Sequence, residues 1–405
     1  MAVAEEIELG MKSALAGRLH DVAGLVGLFI VLCAFTLSTL DGGEIAPRIV
    51  SALLLALVAG YLIFPFEQRF SLSLPVICLL LMSLYGVGQT LWSPRRIVYN
   101  GWTGTLFWFT AAMIALLATQ IFRQKRAQAQ FRLAFVIFGS AVCVLDLLQQ
   151  ASHTRSFFWL IQSKYHAVFG PFAYWNNFAQ FIELVLPITL WQGLAGRKPS
   201  LPYLLLSAVQ IAAVVASGSR AGAALVLAEL LVILILAYLR YRNKTFLLGA
   251  GLAIALSLAF IYAAGFDAVI GKLQQSDQLQ VRRDINRSSL AMIRERPLSG
   301  WGLDTYVPVY RMFALYDDGT YVNRAHNDWL QWTAEGGIFF SALMLILFLW
   351  SIRPAWRSGW GIGVIAVCLH ALVDYPFARF GVCGWYFALV AMLAVPRKPP
   401  RGESA

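Results

Sequence analysis

The sequence predicts an all-α integral membrane protein of about 12 transmembrane helices. Of its 405 residues, 59% are hydrophobic and only 13% are charged, whereas a soluble domain carries roughly 25% charged residues. Apolar runs recur along the chain, and a membrane-spanning helix needs about 20 mostly apolar residues. We therefore expect lipid to surround the protein, and residues 1–405 to form one polytopic membrane domain.

The candidate spans alternate with basic connections. Lys and Arg residues of short loops are enriched on the cytoplasmic side of a membrane. Here they fall on the side of both termini if every candidate span forms, so we expect both termini in the cytoplasm. The spans are 22–40, 48–65, 74–92, 103–122, 130–150, 175–195, 201–217, 220–239, 245–265, 334–352, 360–373 and 378–396.

Two long connections face outward in this topology. The first, about 151–174, includes the aromatic residues Phe157, Phe158 and Trp159, and is predicted to be an amphipathic helix in the membrane interface. The second, 266–333, lies between the ninth and tenth spans and is the only sizeable extramembrane region in the sequence. Loops of that length are uncommon and usually functional, so we expect the function to involve this loop.

Charge and cysteine content narrow the classes of function. The net charge of +11 is explained by the bias of cytoplasmic loops toward Lys and Arg, so no nucleic-acid partner is expected. The five cysteines are scattered through apolar stretches and form no C-x-x-C pair. This argues against a disulfide framework or a zinc site, and we interpret them as small buried hydrophobic residues.

The long outer loop is rich in arginine, against the topological bias. The planar guanidinium group suits phosphate, so an anionic substrate is one explanation, and attraction to anionic lipid headgroups is the other. If residues 282–294 are helical, Arg283 and Arg287 share one face, and Arg282 lies on the opposite, apolar face. Arg282 is therefore predicted to point toward the protein.

A histidine stands just ahead of the tenth span, in A-H-N-D-W-L-Q-W-T-A-E-G-G. Histidine is well suited to moving a proton near neutral pH, so His326 is a candidate general base, with Asn327 as a supporting polar residue. A structural histidine bonded to a neighbour is the competing interpretation. Asp328 and Glu335 could hold a metal with His326, but such a site would need more carboxylates nearby, so no metal is predicted.

The segment S-G-S-R-A-G lies at the outer mouth between the seventh and eighth spans. Its small residues, including Ser219, permit close helix packing. This favours a packed, interior position for Arg220 over one in which the side chain only reaches out to the headgroups. Arg220 is therefore a candidate for binding an anionic group.

Three more polar residues flank the outer ends of spans. Asn176 and Asn177 open the sixth span, where they could hydrogen-bond a sugar or cap the helix. Asp374 lies at the outer end of the eleventh span. It could pair with Arg220 or Arg282, or orient His326.

These motifs, in their order along the chain, resemble those of the O-antigen ligase and O-antigen polymerase superfamily of bacterial envelope proteins. The resemblance covers about 170–376 and includes the predicted topology with one long outer loop. The motifs that carry it are FGPFAYWNNFA, SGSRAG, RRDINRSSLAMIRERPLSGWGLDTY, HNDWLQWTAEGG and HALVDYPF.

The resemblance implies a GT-C-like, metal-independent glycosyltransferase of the bacterial inner membrane, with a periplasmic active site and no cofactor. Its donor would be a glycan on undecaprenyl pyrophosphate. By motif, Arg220 and Arg282 match the family's arginines and His326 its loop histidine. Arg283 stands where the family more often has an apolar residue, so Arg283 and Arg287 stay candidates for the role of Arg282.

Three functions stay open. A ligase, which we favour, would use lipid A–core as the acceptor, and a polymerase would use a second lipid-linked repeat. In a different class, a lipid-linked sugar transporter or flippase would place Asp146, Glu183 and Glu229 along a pathway, because acids inside spans are often functional. Against a transporter stands the concentration of charge in one outer loop, since transporter sites lie near the midplane.

Overall fold

The computed structural model describes residues 22–37, 71–92, 98–164, 167–195, 198–241, 244–264, 277–315 and 321–395, together with residues 17, 55 and 56. Most of these residues are helical. The elements are α1 (Val22–Leu37), α2 (Leu74–Trp92), α3 (Val98–Ile121), α4 (Lys125–Ala151), β1 (Ser156–Phe157), β2 (Ile161–Gln162), α5 (Trp175–Leu194), α6 (Leu201–Ser217), α7 (Arg220–Tyr241), α8 (Lys244–Ala264), α9 (Asp277–Glu295), α10 (Tyr306–Phe313), α11 (Asp328–Ser358), α12 (Ile362–His370), a 3-10 helix (Pro376–Ala378) and α13 (Phe380–Ala394).

The chain is a multi-pass membrane protein. By length and composition, α2, α4, α7, α11 and Asn100–Ile121 of α3 can each cross a membrane. Shorter apolar helices occur in α1, α6, α8 and α13. Each predicted span overlaps a described helix, except the span at 48–65, which lies almost wholly outside the described residues. The helix at the predicted span 360–373 is α12, which has only nine residues.

Helix α5 lies at the centre of the bundle. Nearly all of its residues are buried, as expected of a helix with protein on every side. A Cβ atom on Gly363 of α12 would collide with the backbone carbonyl of Glu183 in α5, so glycine permits this close approach. In α13, the Trp385 ring stacks on Phe135 of α4 at 4.2 Å between centroids. Aromatic packing and small residues together hold the bundle.

Helix α11 is broken at Gly337, where φ is 65° and ψ is −170°. The amide of Ile338 donates to the Pro297 carbonyl (2.9 Å), and the Ala334 carbonyl accepts from the Trp301 amide (2.9 Å). These two bonds replace the hydrogen bond that an unbroken helix would make between residues 334 and 338. The turn after α9 is therefore tied directly to the backbone of α11.

Two glycines make this junction possible. A Cβ atom on Gly300 would collide with the Glu335 carbonyl, and a Cβ atom on Gly337 would collide with the Leu298 carbonyl. Both glycines have positive φ, 64° and 65°, which glycine adopts readily. Gly300 of P-L-S-G-W-G and Gly337 of A-E-G-G are thus explained by one contact between two backbones.

The segment predicted as an interfacial amphipathic helix, about 151–174, contains a hairpin, so that prediction is wrong. Strands β1 and β2 pair antiparallel, and Phe158 and Trp159 in the turn have φ of 53° and 60°. The Thr154 hydroxyl accepts from the Ser156 amide at 3.2 Å. Such local side-chain bonds compete with helix formation, and the apolar composition of the segment did not reveal them.

The described part of the predicted outer loop is folded. α9 ends at Glu295, ahead of Pro297. Ile285 and Met292 of α9 are buried and form a small core with Tyr306 of α10. This second core holds α9 against α11.

Candidate functional site

The predicted polar residues of several separate motifs meet at one end of the bundle, which we call the site face. Helices α5, α7 and α11 begin at this face. His326 lies directly before the N-cap residue of α11, with a φ of 51°. A left-handed backbone is uncommon for residues other than glycine, although histidine tolerates it better than most. The surrounding structure must therefore hold His326 in place.

His326 faces a buried carboxylate. Its Nδ1 atom lies 3.5 Å from Oδ1 of Asp374, and the side chains are 24% and 0% exposed. At that separation the contact is electrostatic, at the outer limit of a hydrogen bond. The edge of the imidazole also meets the Tyr375 ring, with centroids 4.9 Å apart. Because Nδ1 faces the carboxylate, Nε2 is the ring nitrogen left for another partner.

Each carboxylate oxygen of Asp374 accepts a hydrogen bond. Oδ1 accepts from the Tyr375 amide (2.9 Å), and Oδ2 accepts from the side-chain amide of Asn176. Burial raises the pKa of Asp374, but the neighbouring His326, His370 and Arg282 lower it by more, and the pKa lies below its usual value. The carboxylate is therefore ionised at neutral pH.

The amide of Asn176 joins two motifs that are distant in sequence. Its Oδ1 accepts from the Ser219 hydroxyl at 2.6 Å, while its Nδ2 donates to Asp374 and lies 3.1 Å from the Tyr174 hydroxyl. The N-cap residue of α5 is Tyr174, so Asn176 does not cap the helix. Asn177 instead donates to a glutamine one turn along α5.

Arg282 points toward the protein, as the helical periodicity predicts. Its guanidinium donates to the Val373 carbonyl at 3.0 Å and to the Tyr174 hydroxyl at 3.2 Å. Arg283 and Arg287 are exposed on the other face of α9. Among these three arginines, the structure brings Arg282 to the residues around Asp374.

Two tyrosines connect Arg282 with His326. The rings of Tyr174 and Tyr375 stack with centroids 5.8 Å apart. Burial and the neighbouring Asp374 carboxylate raise the pKa of Tyr375 to about 12, so its phenol stays protonated. Our reading of the sequence missed both tyrosines as site residues. The available signal was their position, since each lies within two residues of a predicted polar residue.

Arg220 lies at the site face but is not packed in the interior, so that prediction is wrong. It is the first residue of α7, and its side chain is exposed. The neighbours Ser217, Ser219 and Gly222 are buried, and a Cβ atom on Gly222 would collide with Ala179 of α5. The small residues thus pack the helices together, while the long side chain extends outward from the helix end.

The side chains of three other residues near His326 accept hydrogen bonds from backbone amides. The Asn327 side chain accepts from the Leu330 amide at 3.1 Å and caps α11. Asp328 accepts from the Phe377 amide at 2.8 Å, and both carboxylate oxygens of Glu335 accept from amides of the outer loop. Within the described ranges, no three His, Cys, Asp or Glu residues are grouped as metal ligands.

A small polar cavity of about 40 Å³ lies beside these carboxylates. Asp304 and Arg324 both line this cavity. Oδ1 of Asp304 lies 3.5 Å from Nη1 of Arg324. Asp304 has a φ of 57°, and its Oδ2 accepts from the Thr103 hydroxyl of α3 at 3.0 Å. This pair ties the outer loop to the bundle, and sequence reasoning did not predict it.

Two of the three acids predicted inside spans have a side-chain partner, whereas both carboxylate oxygens of Glu229 are buried without a hydrogen bond among the described residues. Glu183 and His370 are fully buried, with Oε1 and Nδ1 2.7 Å apart, and they join α5 to α12. Asp146 accepts from the side chain of Gln150, one turn along its own helix. The Glu229 carboxylate is close enough to Glu183 for their charges to interact.

Residues 204–345 match the family model described as O-antigen ligase. The matched segment runs from α6 into α11 and contains Arg220, Arg282 and His326. A comparison with curated proteins gives no match. The family match confirms the resemblance to the O-antigen ligase and polymerase superfamily, and it indicates an activity of ligase or polymerase type.

Proposed function

We propose that this multi-pass protein, which carries an O-antigen ligase family match over residues 204–345, is a GT-C-like membrane glycosyltransferase. It moves a glycan from undecaprenyl pyrophosphate to an acceptor hydroxyl, favoured as lipid A–core, by an inverting and metal-independent reaction. The site lies at the periplasmic face of the bacterial inner membrane, with both termini in the cytoplasm.

The observation that carries this proposal is the pairing of His326 with the buried Asp374 beside the guanidinium of Arg282. A carboxylate that faces one imidazole nitrogen orients the ring and stabilises the imidazolium that forms when the other nitrogen takes a proton. The guanidinium supplies fixed positive charge for an anion. A general base and an anion-binding group at one site are what transfer from a lipid pyrophosphate requires.

In the proposed reaction, Nε2 of His326 accepts the proton of the acceptor hydroxyl. The hydroxyl oxygen forms a bond to the anomeric carbon of the donor sugar while the bond from that carbon to the pyrophosphate oxygen breaks. The electron pair of the broken bond leaves with undecaprenyl pyrophosphate. Because the displacement is direct, the configuration at the anomeric carbon inverts.

Arg282 and Arg220 stabilise the departing pyrophosphate in this proposal. Negative charge grows on the leaving group as the bond breaks, and fixed guanidinium groups stabilise such charge without reorganisation. Arg282 is preorganised by its bonds to the Val373 carbonyl and the Tyr174 hydroxyl. Arg220, exposed at the start of α7, extends from the same face on a side chain long enough to meet the second phosphate.

The orientation of the protein is supported by the opposite end of the bundle. α4 begins there with Lys125, and α11 ends there near Arg353 and Arg357. Basic residues at the ends of spans favour the cytoplasm. The site face would then open on the periplasm, where lipid-linked glycans are presented to this family.

A detergent assay tests the proposed function. Purified protein is given a lipid-pyrophosphate-linked glycan in EDTA, with lipid A–core or a second lipid-linked repeat as the acceptor. We expect product on lipid A–core. A ladder of longer lipid-linked chains would instead establish a polymerase and overturn the assignment of the acceptor.

The same assay separates an enzyme from a transporter. A detergent solution has no membrane gradient, so transfer under these conditions is chemistry and not transport. If folded protein gives no product with either acceptor while a control glycosyltransferase works, the proposed function is wrong. Product that disappears in EDTA would contradict the metal-independent mechanism.

A further inference from the structure

A concave groove lies at the end of the bundle opposite the site face, and we call it the basic groove. It is formed where α4 begins and where α11 and α13 end, and its volume is about 1120 Å³. The unbroken part of α11 that leads to the groove, residues 338–357, corresponds to roughly 30 Å at 1.5 Å per residue. The groove is therefore separate from the proposed transfer site.

Cations line the basic groove without any carboxylate. Its described lining contains no Asp or Glu. Like charges gathered around one concavity attract anions and repel one another while the concavity is empty. The five lining cations come from the turn before α4, the start of α4 and the end of α11, and they are Arg123, Lys125, Arg132, Arg353 and Arg357.

Arg132 is the least exposed of these cations, and one of its side-chain nitrogens lacks a hydrogen bond. It lies in the second turn of α4, with its guanidinium 5.4 Å from the centre of the Trp360 ring. Its Nη1 is 3.8 Å from the sulfur of Met392, which is a weak acceptor. The Nε atom is buried and has no hydrogen-bond partner among the described residues. A partly buried charge of this kind is costly unless an anion meets it.

The rest of the lining is apolar. Trp350, Pro354 and Leu393 face the same concavity as the cations, and tryptophan is enriched at the depth of lipid headgroups. A soluble anion would use the cations alone and leave these side chains unused. A molecule with a phosphate and an acyl chain matches both parts of the lining.

We propose that the basic groove binds an anionic phospholipid of the cytoplasmic leaflet. The phosphodiester lies against Arg132 and Arg353, and an acyl chain runs along Trp350 and Leu393. Basic pockets between membrane helices on this side of a bilayer recognise such headgroups. This inference concerns a surface that the transfer reaction does not use, and it is tested by binding alone.

The matched control for this proposal is Arg126, an exposed residue in the first turn of α4. It has the same charge and lies at the same end of the same helix, but it does not line the groove. If the cations serve only to set the topology, Arg126 and Arg132 should be equivalent. A lipid site predicts that they differ.

The experiment measures lipid binding to the delipidated full-length protein by native mass spectrometry and by tryptophan fluorescence. The probes are phosphatidylglycerol, zwitterionic phosphatidylethanolamine and soluble glycerol phosphate. We expect saturable binding of phosphatidylglycerol, with much weaker binding of the other two. Equal binding of phosphatidylethanolamine, or of glycerol phosphate, would overturn the proposal.

The variants Arg132→Gln and Arg353→Gln should each weaken phosphatidylglycerol binding about fivefold, since one cation near a lipid surface contributes about 1 kcal/mol. Arg126→Gln should bind like the wild type. Arg353 is exposed, so its variant tests the site even if Arg132→Gln fails to fold. An equal loss in Arg126→Gln, or no loss in Arg353→Gln, would contradict a site in the groove.

Discussion

The two ends of this protein handle charge in opposite ways. At the site face, His326, Asp374 and Arg282 each have a defined partner, and the central carboxylate is fully buried. The described lining of the basic groove contains cations and no acids, and most of the cations are exposed. The first arrangement is typical of a preorganised site, and the second of a surface that binds an anion from outside.

This difference predicts how large the effect of a substitution should be at each end. A network of mutually hydrogen-bonded polar groups fails when one member is removed, because its partners are left unsatisfied. A cluster of solvated cations loses its attraction for anions in small, nearly equal steps. Substitutions at the site face should therefore have larger effects than any single change in the basic groove.

The largest effect is expected for His326→Ala. Removal of a general base should lower the rate of transfer by about 100- to 10,000-fold, with little change in donor binding. The measurement is the turnover rate in detergent with saturating donor. His153→Asn, at an exposed position that also has positive φ, is the control, and normal turnover in His326→Ala would rule out the base.

Arg282→Ala should have the next largest effect. A hydrogen bond to a charged group contributes about 1.5–3 kcal/mol, so we expect donor affinity to fall by roughly 10- to 100-fold. Arg294→Ala removes the same charge from an exposed position of α9 and should change little. Donor binding is measured by titration with the pyrophosphate lipid. Equal affinities in the two variants would contradict the role of Arg282.

Gly337→Ala tests the junction that positions the outer loop. The new Cβ atom would collide with the Leu298 carbonyl, and φ is positive, so we expect destabilisation by about 1–3 kcal/mol. Gly251→Ala is the matched control in α8, where a Cβ atom meets nothing within 4 Å. Thermal unfolding of both variants in detergent measures the difference. An unchanged melting temperature in Gly337→Ala would show that the junction tolerates a side chain.

The smallest expected effect concerns pH. Because the folded pKa of Asp374 lies below its usual value of 3.8, the carboxylate stabilises the fold above that value, and this contribution disappears as the pH falls through the folded pKa. The difference in melting temperature between the wild type and Asp374→Asn should therefore shrink as the pH falls below about 4. A difference that stays constant from about pH 5 to about pH 3 would show that Asp374 is not the titrating group.

Much of the helical framework could be predicted from hydropathy alone. Apolar runs such as 74–92 and 201–217 agree with the observed helices to the residue. The tenth span begins earlier than predicted, at Asp328, because its first turns are amphipathic and are stabilised by the Asn327 cap. The segment at 151–174 was misread because its side chains bond to the nearby backbone.

The sequence by itself determined that this is a helical membrane protein, and it placed Arg282 on the inner face of α9, since both follow from local periodicity and composition. Only the tertiary structure decided which residues meet. It brought Asp374 to His326 and Asn176, and it left Arg220 exposed. Contacts between residues that are distant in sequence depend on how the helices pack, and a single sequence does not encode them in any local pattern.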